Sequence, residues 1–411
     1  MLASLLVLTL AVSGEYFPPP DSAGGWRTLV AAPREFPNAT AVRKVAGMDL
    51  RKLDQAFEYA QRTSQHGGLL VVRHGWLVYE KYYGKGNREA TPAMASVGKA
   101  YTSIACGIML RDSFNKIQEG LETKVFNEKY LPQAMPLNDP RKADIKLGQL
   151  LSMAAGFHGE GTNPGFVNFE PSVKLEPSPR VAGLDQDQTA LQTPLWTAPG
   201  EGYSYASSSP HVASIVLRNI VGMEMQDYLD QKLAKPMGWG KWGYAKRPGN
   251  QHTPGGGDVA VRSTDALRFS YLLLNLGKWG KQELVPADYI DRCARPSPYQ
   301  KHAPFSLMFE INNDGHVAGA PRDAYFKSGG GGYGIMIVPS LDLVIYKMAG
   351  NDAQYDPALT GLSQDYKYDG SRDKWKPAAR SQFSDGPIGV DDGVRRVLEM
   401  VAAAVVDSVK K

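Results

Sequence analysis

The chain has only two cysteines in 411 residues, Cys106 and Cys293. Neither sits in a Cys-x-x-Cys or His-rich setting, so the sequence carries neither a disulfide framework nor a zinc motif. Both read as buried apolar residues, and spacing alone leaves open whether they meet. The seven histidines are scattered, with no His-Glu-x-x-His or comparable ligand spacing, so they read as surface or packing residues. No metal and no other cofactor is called for. Charge of one sign is also lacking: 46 Lys and Arg face 42 Asp and Glu, a net of +4. No basic cluster interleaved with aromatics stands out, so no nucleic-acid partner is expected. No apolar run approaches the roughly 20 residues of a membrane span, and there is no internal repeat or heptad run. What is present, 43% hydrophobic and 21% charged residues, is the composition of a folded globular protein of two or three structural units.

The first 14 residues read as a secretory leader: an apolar run from Leu2 to Val12, then Ser13 and Gly14, without a basic residue ahead of it. A buried N-terminal helix is the alternative. The leader predicts a secreted or periplasmic protein with no membrane anchor. Residues 15–47, rich in Pro and Gly, read as an extended arm. The segment MDLRKLDQAFEYAQR then carries Met48, Leu50, Leu53, Phe57 and Ala60 at helical spacing. GGLLVVRHGWLVYEKYYG reads as a hairpin turning at Arg73-His74-Gly75. Near the other end, AYFKSGGGGYGIMIVPSLDLVIYKMAG supplies three more strands, and VRRVLEMVAAAVVDSV returns to a helical period. The expectation is an α+β protein in which 48–90 and 310–411 form one antiparallel sheet covered by the first and last helices. Residues 91–309 form a mainly helical domain, and the polar stretch 352–387 is a surface insertion. A cleft between the two units is the natural place for a site.

The chemistry centres on TPAMASVGKAYTSIACGIML. Ser96 and Lys99 lie three apart where an apolar helix begins, so they share a face with Cβ atoms about 5–6 Å apart. Serine needs a base to become a nucleophile, and a buried lysine can be that base. Ser-x-x-Lys by itself is a weak signal, since it recurs at Ser113–Lys116 and Ser371–Lys374, in surroundings too polar to desolvate a lysine. The competing reading is a helix-capping Ser96 beside a solvated Lys99. Two further stretches add partners: WTAPGEGYSYASSSP places Tyr203 and Tyr205 after a Pro199-Gly200 turn, and YFKSGGGGYG places Lys327, Ser328 and Gly329 on a strand followed by three more glycines, Gly330 first. Together they supply a nucleophile, two lysines, a tyrosine and backbone donors.

In these motifs the sequence resembles the serine β-lactamases and penicillin-binding proteins, with their Ser-x-x-Lys and Lys-Thr-Gly elements. It is most similar to the branch of class C β-lactamases, D-alanyl-D-alanine peptidases, family VIII esterases and 6-aminohexanoate-dimer hydrolases. The resemblance spans roughly 66–350 and includes VVRHGWLVYE, IKLGQLLSMAAGF, WTAPGEGYSYAS and GGGDVAVRSTDALRFSYLLLNLGKWGKQELVP. It implies a β-lactamase/transpeptidase-like fold and an acyl-enzyme route to cleavage of a small ester or amide. Ser96 would be the nucleophile, Lys99 and Tyr205 would carry its proton, and the N–H groups of Ser96 and Gly330 would hold the oxyanion. Lys327 would either tune Tyr205 or bind a substrate carboxylate, with Ser207, Ser328, Gly329 and Trp196 lining the substrate site. Ser207 stands where Asn is usual in Tyr-x-Asn, and Met153-Ala154-Ala155-Gly156 stands where His-Thr-Ser-Gly is common. Lys327-Ser328-Gly329 keeps the lysine that many esterase-like members lose, which favours a substrate with a carboxylate or equally serves to tune Tyr205.

Other readings stay in view. Gly202-Tyr203-Ser204-Tyr205-Ala206 approaches a nucleophile elbow, but its last position is Ala206 and the alternating strand–helix pattern is missing. Gly330 reads equally as a hairpin glycine, and Trp196 as a core aromatic. A catalytically idle protein that binds penicillins or senses cell-wall fragments is the alternative function. The expected partner is a small-molecule ester or amide; oligomeric state is not readable.

Overall fold

The computed structural model describes residues 16–29, 37–159, 186–245, 252–356 and 391–406. The leader at 1–14 and all but the first five residues of the insertion (357–387), with Ser371–Lys374, therefore lie outside the described residues. The 15–47 arm is not extended throughout. It contains a short 3-10 turn and the helix α1 (Ala39–Ala46), capped by Asn38, whose side chain accepts from Thr40 N at 2.8 Å, and closed by left-handed Gly47. Helix α2 (Leu50–Thr63) follows, its N-terminus capped by the Asp49 carboxylate.

Strands β1 (Gly67–Arg73) and β2 (Trp76–Tyr83) form the hairpin, turning through His74 and Gly75, both with positive φ. Between the hairpin and the end of the chain lie α3 (Gly98–Asp112), α4 (Leu147–Leu151), α5 (Gln186–Leu191), α6 (Ser208–Val221), α7 (Met225–Leu229) and α8 (Lys235–Met237). They are followed by α9 (Ser263–Leu274) and α10 (Ala287–Cys293). Two small ribbons, β3 (Trp242–Tyr244) with β4 (Val259–Val261) and β5 (Lys278–Trp279) with β6 (Gln282–Glu283), interrupt them. The chain then returns through β7 (Phe305–Ser306), β8 (Phe309–Ile311), β9 (Tyr325–Gly329), β10 (Tyr333–Val338) and β11 (Leu343–Met348), ending in α11 (Asp391–Ala402).

The main sheet has the order β2-β1-β11-β10-β9-β8-β7. Its paired strands run antiparallel throughout, with Gly68 opposite Met348 and Arg73 opposite Leu343 joining the two ends of the chain. The second contribution to the sheet starts at Phe305, five residues before the sequence boundary, because the short β7 and β8 carry little periodic signal. Side chains alternate across β1. Leu69 and Val71 join Leu53, Ala56, Val397 and Leu398 in one core, whereas Leu70 and Val72 join Ile104, Leu267 and Phe269 in the other. An apolar run on both faces is what a strand sandwiched between two helical layers needs. Helices α2 and α11 cover the outer face, and α9 with α3 cover the inner one.

Cys106 and Cys293 are free and fully buried, and burial pushes the Cys106 thiol up to about 12. They are apolar packing residues. Among the described residues no helix is long and apolar enough to cross a membrane.

Candidate active site

Ser96 does not cap an α-helix. It sits in the 3-10 turn Ala95–Val97 that leads into α3, and the residue before it, Ala95, has φ +45°. A left-handed conformation costs a residue with a side chain about 1–3 kcal/mol, so neighbours must hold it. Here the holding segment is Gly255–Val259: Asp258 N donates to Ala95 O at 2.9 Å, and Met94 N donates to Val259 O at 2.9 Å. The same segment packs backbone to backbone on the start of α3. A Cβ added to Gly98 would lie 2.7 Å from the Gly257 carbonyl carbon. Glycine at 98 thus lets the loop close over the first turn of the helix.

Lys99 is fully buried, one turn below the serine. Its Nζ lies 2.9 Å from Ser96 Oγ, 2.9 Å from Ser207 Oγ and 2.6 Å from Gly256 O. The Gly256 carbonyl can only accept. The two hydroxyls can accept or donate, so the three positions suit an ammonium with three donors and equally an amine that donates twice and takes the Ser96 proton. The departure from Asn at 207 therefore keeps a polar contact to the lysine with a shorter side chain, while giving up the carboxamide. Ser207 stands at the N-terminus of α6 but makes no capping bond.

The half-buried Tyr205 ring is flanked by both lysines, with Lys99 Nζ 4.9 Å and Lys327 Nζ 5.3 Å from its centroid. Phe305 packs edge-on against it at 6.4 Å. Cations at this range are attracted to the ring face. Lys327 in β9 is 1% exposed and ion-paired to Glu310 of β8, also 1% exposed. The other Glu310 oxygen accepts from Ser328 N at 3.2 Å and Ser328 Oγ at 2.9 Å. Sequence reasoning missed Glu310. A carboxylate inside the apolar run FSLMFEIN was the available signal, but its partner is 17 residues away and on another strand.

Gly329 ends β9 and Gly330 follows it, both beside the serine turn. A Cβ at Gly329 would stand 2.3 Å from Met94 O, and one at Gly330 would touch the Ala95 methyl at 3.6 Å. Gly330 lies beyond the last β9–β10 pair, Gly329 with Tyr333, and Ser96 N belongs to a first helical turn, where donors have no intrahelical acceptor. The Gly330 peptide is positioned from behind by Gln354, whose Nε2 donates to Gly330 O at 3.0 Å and Ala93 O at 3.3 Å. Gln354 lies at the start of the segment read as a surface insertion, so that segment contributes at least this side chain to the support of the site. Trp196 lies against Gly202, and its backbone N–H donates to Gly156 O at 2.9 Å. None of its described contacts reaches Ser96, Lys99 or Lys327.

A second network also went unread in the sequence. His211 Nδ1 accepts from Gly255 N at 3.1 Å, so its Nε2 carries the proton, donated to Asp187 at 2.8 Å. Arg218 closes the other side of Asp187. Burial would raise the Asp187 carboxyl, but the hydrogen bonds from His211 and Arg218 and the charge of the guanidinium outweigh it and hold the group below its ordinary range. This cluster anchors the loop whose next carbonyl, Gly256 O, meets Lys99. Among the described residues no group of His, Cys, Asp and Glu is arranged to hold a metal ion. A cavity of about 490 Å³ lined by Arg111, Glu122, Arg292 and Tyr299 sits at the far end of α3, about 20 Å along the helix from Ser96.

Known structures share this architecture. A penicillin-binding protein homologue from Caulobacter crescentus is 13% identical, with a TM-score of 0.59 over 86% of this chain and 97% of that one. EstCE1, described as a hydrolase with promiscuous acyltransferase activity, is 16% identical, with a TM-score of 0.58 over 87% and 98%. The octameric penicillin-binding protein homologue from Pyrococcus abyssi is 15% identical, with a TM-score of 0.55 over 76% and 75%. The fold is β-lactamase/transpeptidase-like. No curated protein sequence matches the chain. The Beta-lactamase family model matches residues 53–359, and the chain belongs to that family. Membership places it, at the level of the family, among the serine hydrolases.

Proposed function

We propose that the protein cleaves small esters or amides through an acyl-enzyme on Ser96, within the class C-like branch of its family. The observation that carries this reading is the 2.9 Å approach of a fully buried lysine nitrogen to the Ser96 hydroxyl. Ser96 Oγ attacks the substrate carbonyl carbon while its proton passes to Lys99, with Tyr205 beside both lysines as the relay toward the leaving group. The oxygen of the tetrahedral intermediate gathers negative charge against the N–H groups of Ser96 and Gly330. Each such donor is worth roughly 3–4 kcal/mol of barrier in a preorganised site. Collapse breaks the ester or amide bond, and the departing alcohol or amine takes up the proton. Water then attacks the acyl carbon, gives its proton to the same base, and frees Ser96. The experiment is turnover of p-nitrophenyl butyrate, with intact-mass detection of a fluorophosphonate adduct, in wild type and Ser96→Ala. Turnover and adduct both lost in the variant support the hydrolase. An adduct without turnover in wild type supports the idle acyl-binding alternative, and no adduct in wild type refutes a reactive serine.

A further inference from the structure

The lysine at 327 was expected either to tune Tyr205 or to receive a substrate carboxylate, and its surroundings distinguish these roles. Its ammonium is 1% exposed and ion-paired to Glu310. The neighbouring Ser328 hydroxyl, a second side chain able to meet an anion, donates to the second oxygen of the same carboxylate at 2.9 Å. The Ser328 N–H does so at 3.2 Å. The rings of Tyr205 and Phe305 lie 5.3 Å and 5.7 Å from the ammonium. Glu310 thus already engages both polar side chains of Lys327-Ser328-Gly329. An incoming carboxylate would have to displace Glu310 or lie beside it, and two carboxylates sharing one cation leave a net negative charge and repel.

We propose that Glu310 is a specificity-determining residue: by neutralising Lys327 and holding Ser328, it restricts the site to substrates without a carboxylate near the scissile bond. The substrate class is a neutral ester or amide. This rests on the reading of Ser96 as the acyl-accepting nucleophile. Glu310 acts through Lys327 and does not itself touch the substrate.

Two matched ester pairs test it on the full chain. In one the carboxylate is on the leaving group, 4-carboxyphenyl butyrate against 4-acetylphenyl butyrate. In the other it is on the acyl group, the phenyl monoester of adipic acid against phenyl hexanoate. Wild type is expected to favour the neutral member of each pair by about tenfold or more in kcat/KM, the scale of one charge-assisted hydrogen bond. Glu310→Gln keeps the shape and frees the cation. It is expected to narrow or invert the ratio for at least one pair, with the change falling on the relative KM of the anionic ester, which a purely structural role would not single out. Equal wild-type turnover of both members, or an unchanged ratio in a folded Glu310→Gln, overturns the proposal. Should that variant fail to fold, the apolar replacement Glu310→Met with Lys327→Met removes both charges together and is expected to keep the preference for the neutral ester in whatever activity remains; a gain on the anionic esters overturns it. The underlying hydrolase reading fails differently, as no turnover of any of the four esters and no fluorophosphonate adduct.

Discussion

Replacing Lys99 by methionine tests the site at its centre. Methionine nearly preserves the length of the apolar stem and fills the same fully buried volume, so the start of α3 keeps its packing. The substitution removes the group 2.9 Å from Ser96 Oγ and leaves the Gly256 carbonyl without the donor it has at 2.6 Å. Two magnitudes follow. A positioned base contributes about 10²–10⁴ in rate, so acylation should slow by about 3–5.5 kcal/mol of barrier. The orphaned carbonyl costs about 1–3 kcal/mol of stability, offset by no longer burying a polar amine, so the unfolding midpoint should move little. Ser207→Ala provides the scale. It removes one hydrogen bond from the lysine and leaves the base in place, and should cost only about tenfold. The assay is the rate of Ser96 modification by a fluorophosphonate, followed by intact mass, beside ester turnover and thermal unfolding. Acylation of Lys99→Met within about threefold of wild type would show that the lysine is not the base, whatever its proximity.

Three other perturbations follow from the same geometry. Gln354→Ala releases the Gly330 carbonyl and should lower kcat about tenfold with little change in KM, as read by steady-state ester hydrolysis; an unaltered kcat would mean that the glycine turn holds itself. Gly98→Ala places a methyl 2.7 Å from the Gly257 backbone, and should cost about 1–3 kcal/mol in denaturant unfolding as well as activity, because the displaced loop carries Gly256 O. For Asp187, burial works against ionisation and His211 and Arg218 prevail, so the folded-state value lies below the unfolded one. The stability this group contributes is present above about pH 4 and is lost as pH falls. Asp187→Asn should therefore be less stable at neutral pH and lose less of its remaining stability on acidification, measured as midpoints at about pH 7 and pH 3; parallel losses in both proteins would refute the assignment.

Much of the fold was legible because its elements carry strong local periods. The α2 pattern, the β1–β2 hairpin and the three apolar runs between Tyr325 and Met348 all occur where hydrophobic spacing put them, within a residue or two. The lapses have physical causes as well. Helix α1 has eight residues, mostly small, and buries only Val42 and Ala46, so its period hardly rises above the proline-rich background. Strands β7 and β8 span two and three residues, too few to show alternation. Ser96 and Lys99 were visible as a pair since i,i+3 spacing on a helix is a local property. The meaning of Lys327 was not, because it depends on which residue another strand brings to it.

By itself the sequence determined the strongly periodic segments, α2, the β1–β2 hairpin and the strands from Tyr325 to Met348, and where a hydroxyl and an amine share one turn, since backbone period and side-chain spacing act over a few residues. Tertiary structure alone decided that Glu310 meets Lys327, that His211 anchors the loop touching Lys99, and that Gln354 supports Gly330. Those contacts join residues 17 to 44 positions apart, and a buried charge or donor takes its partner from whatever packing delivers to it, which no local pattern encodes.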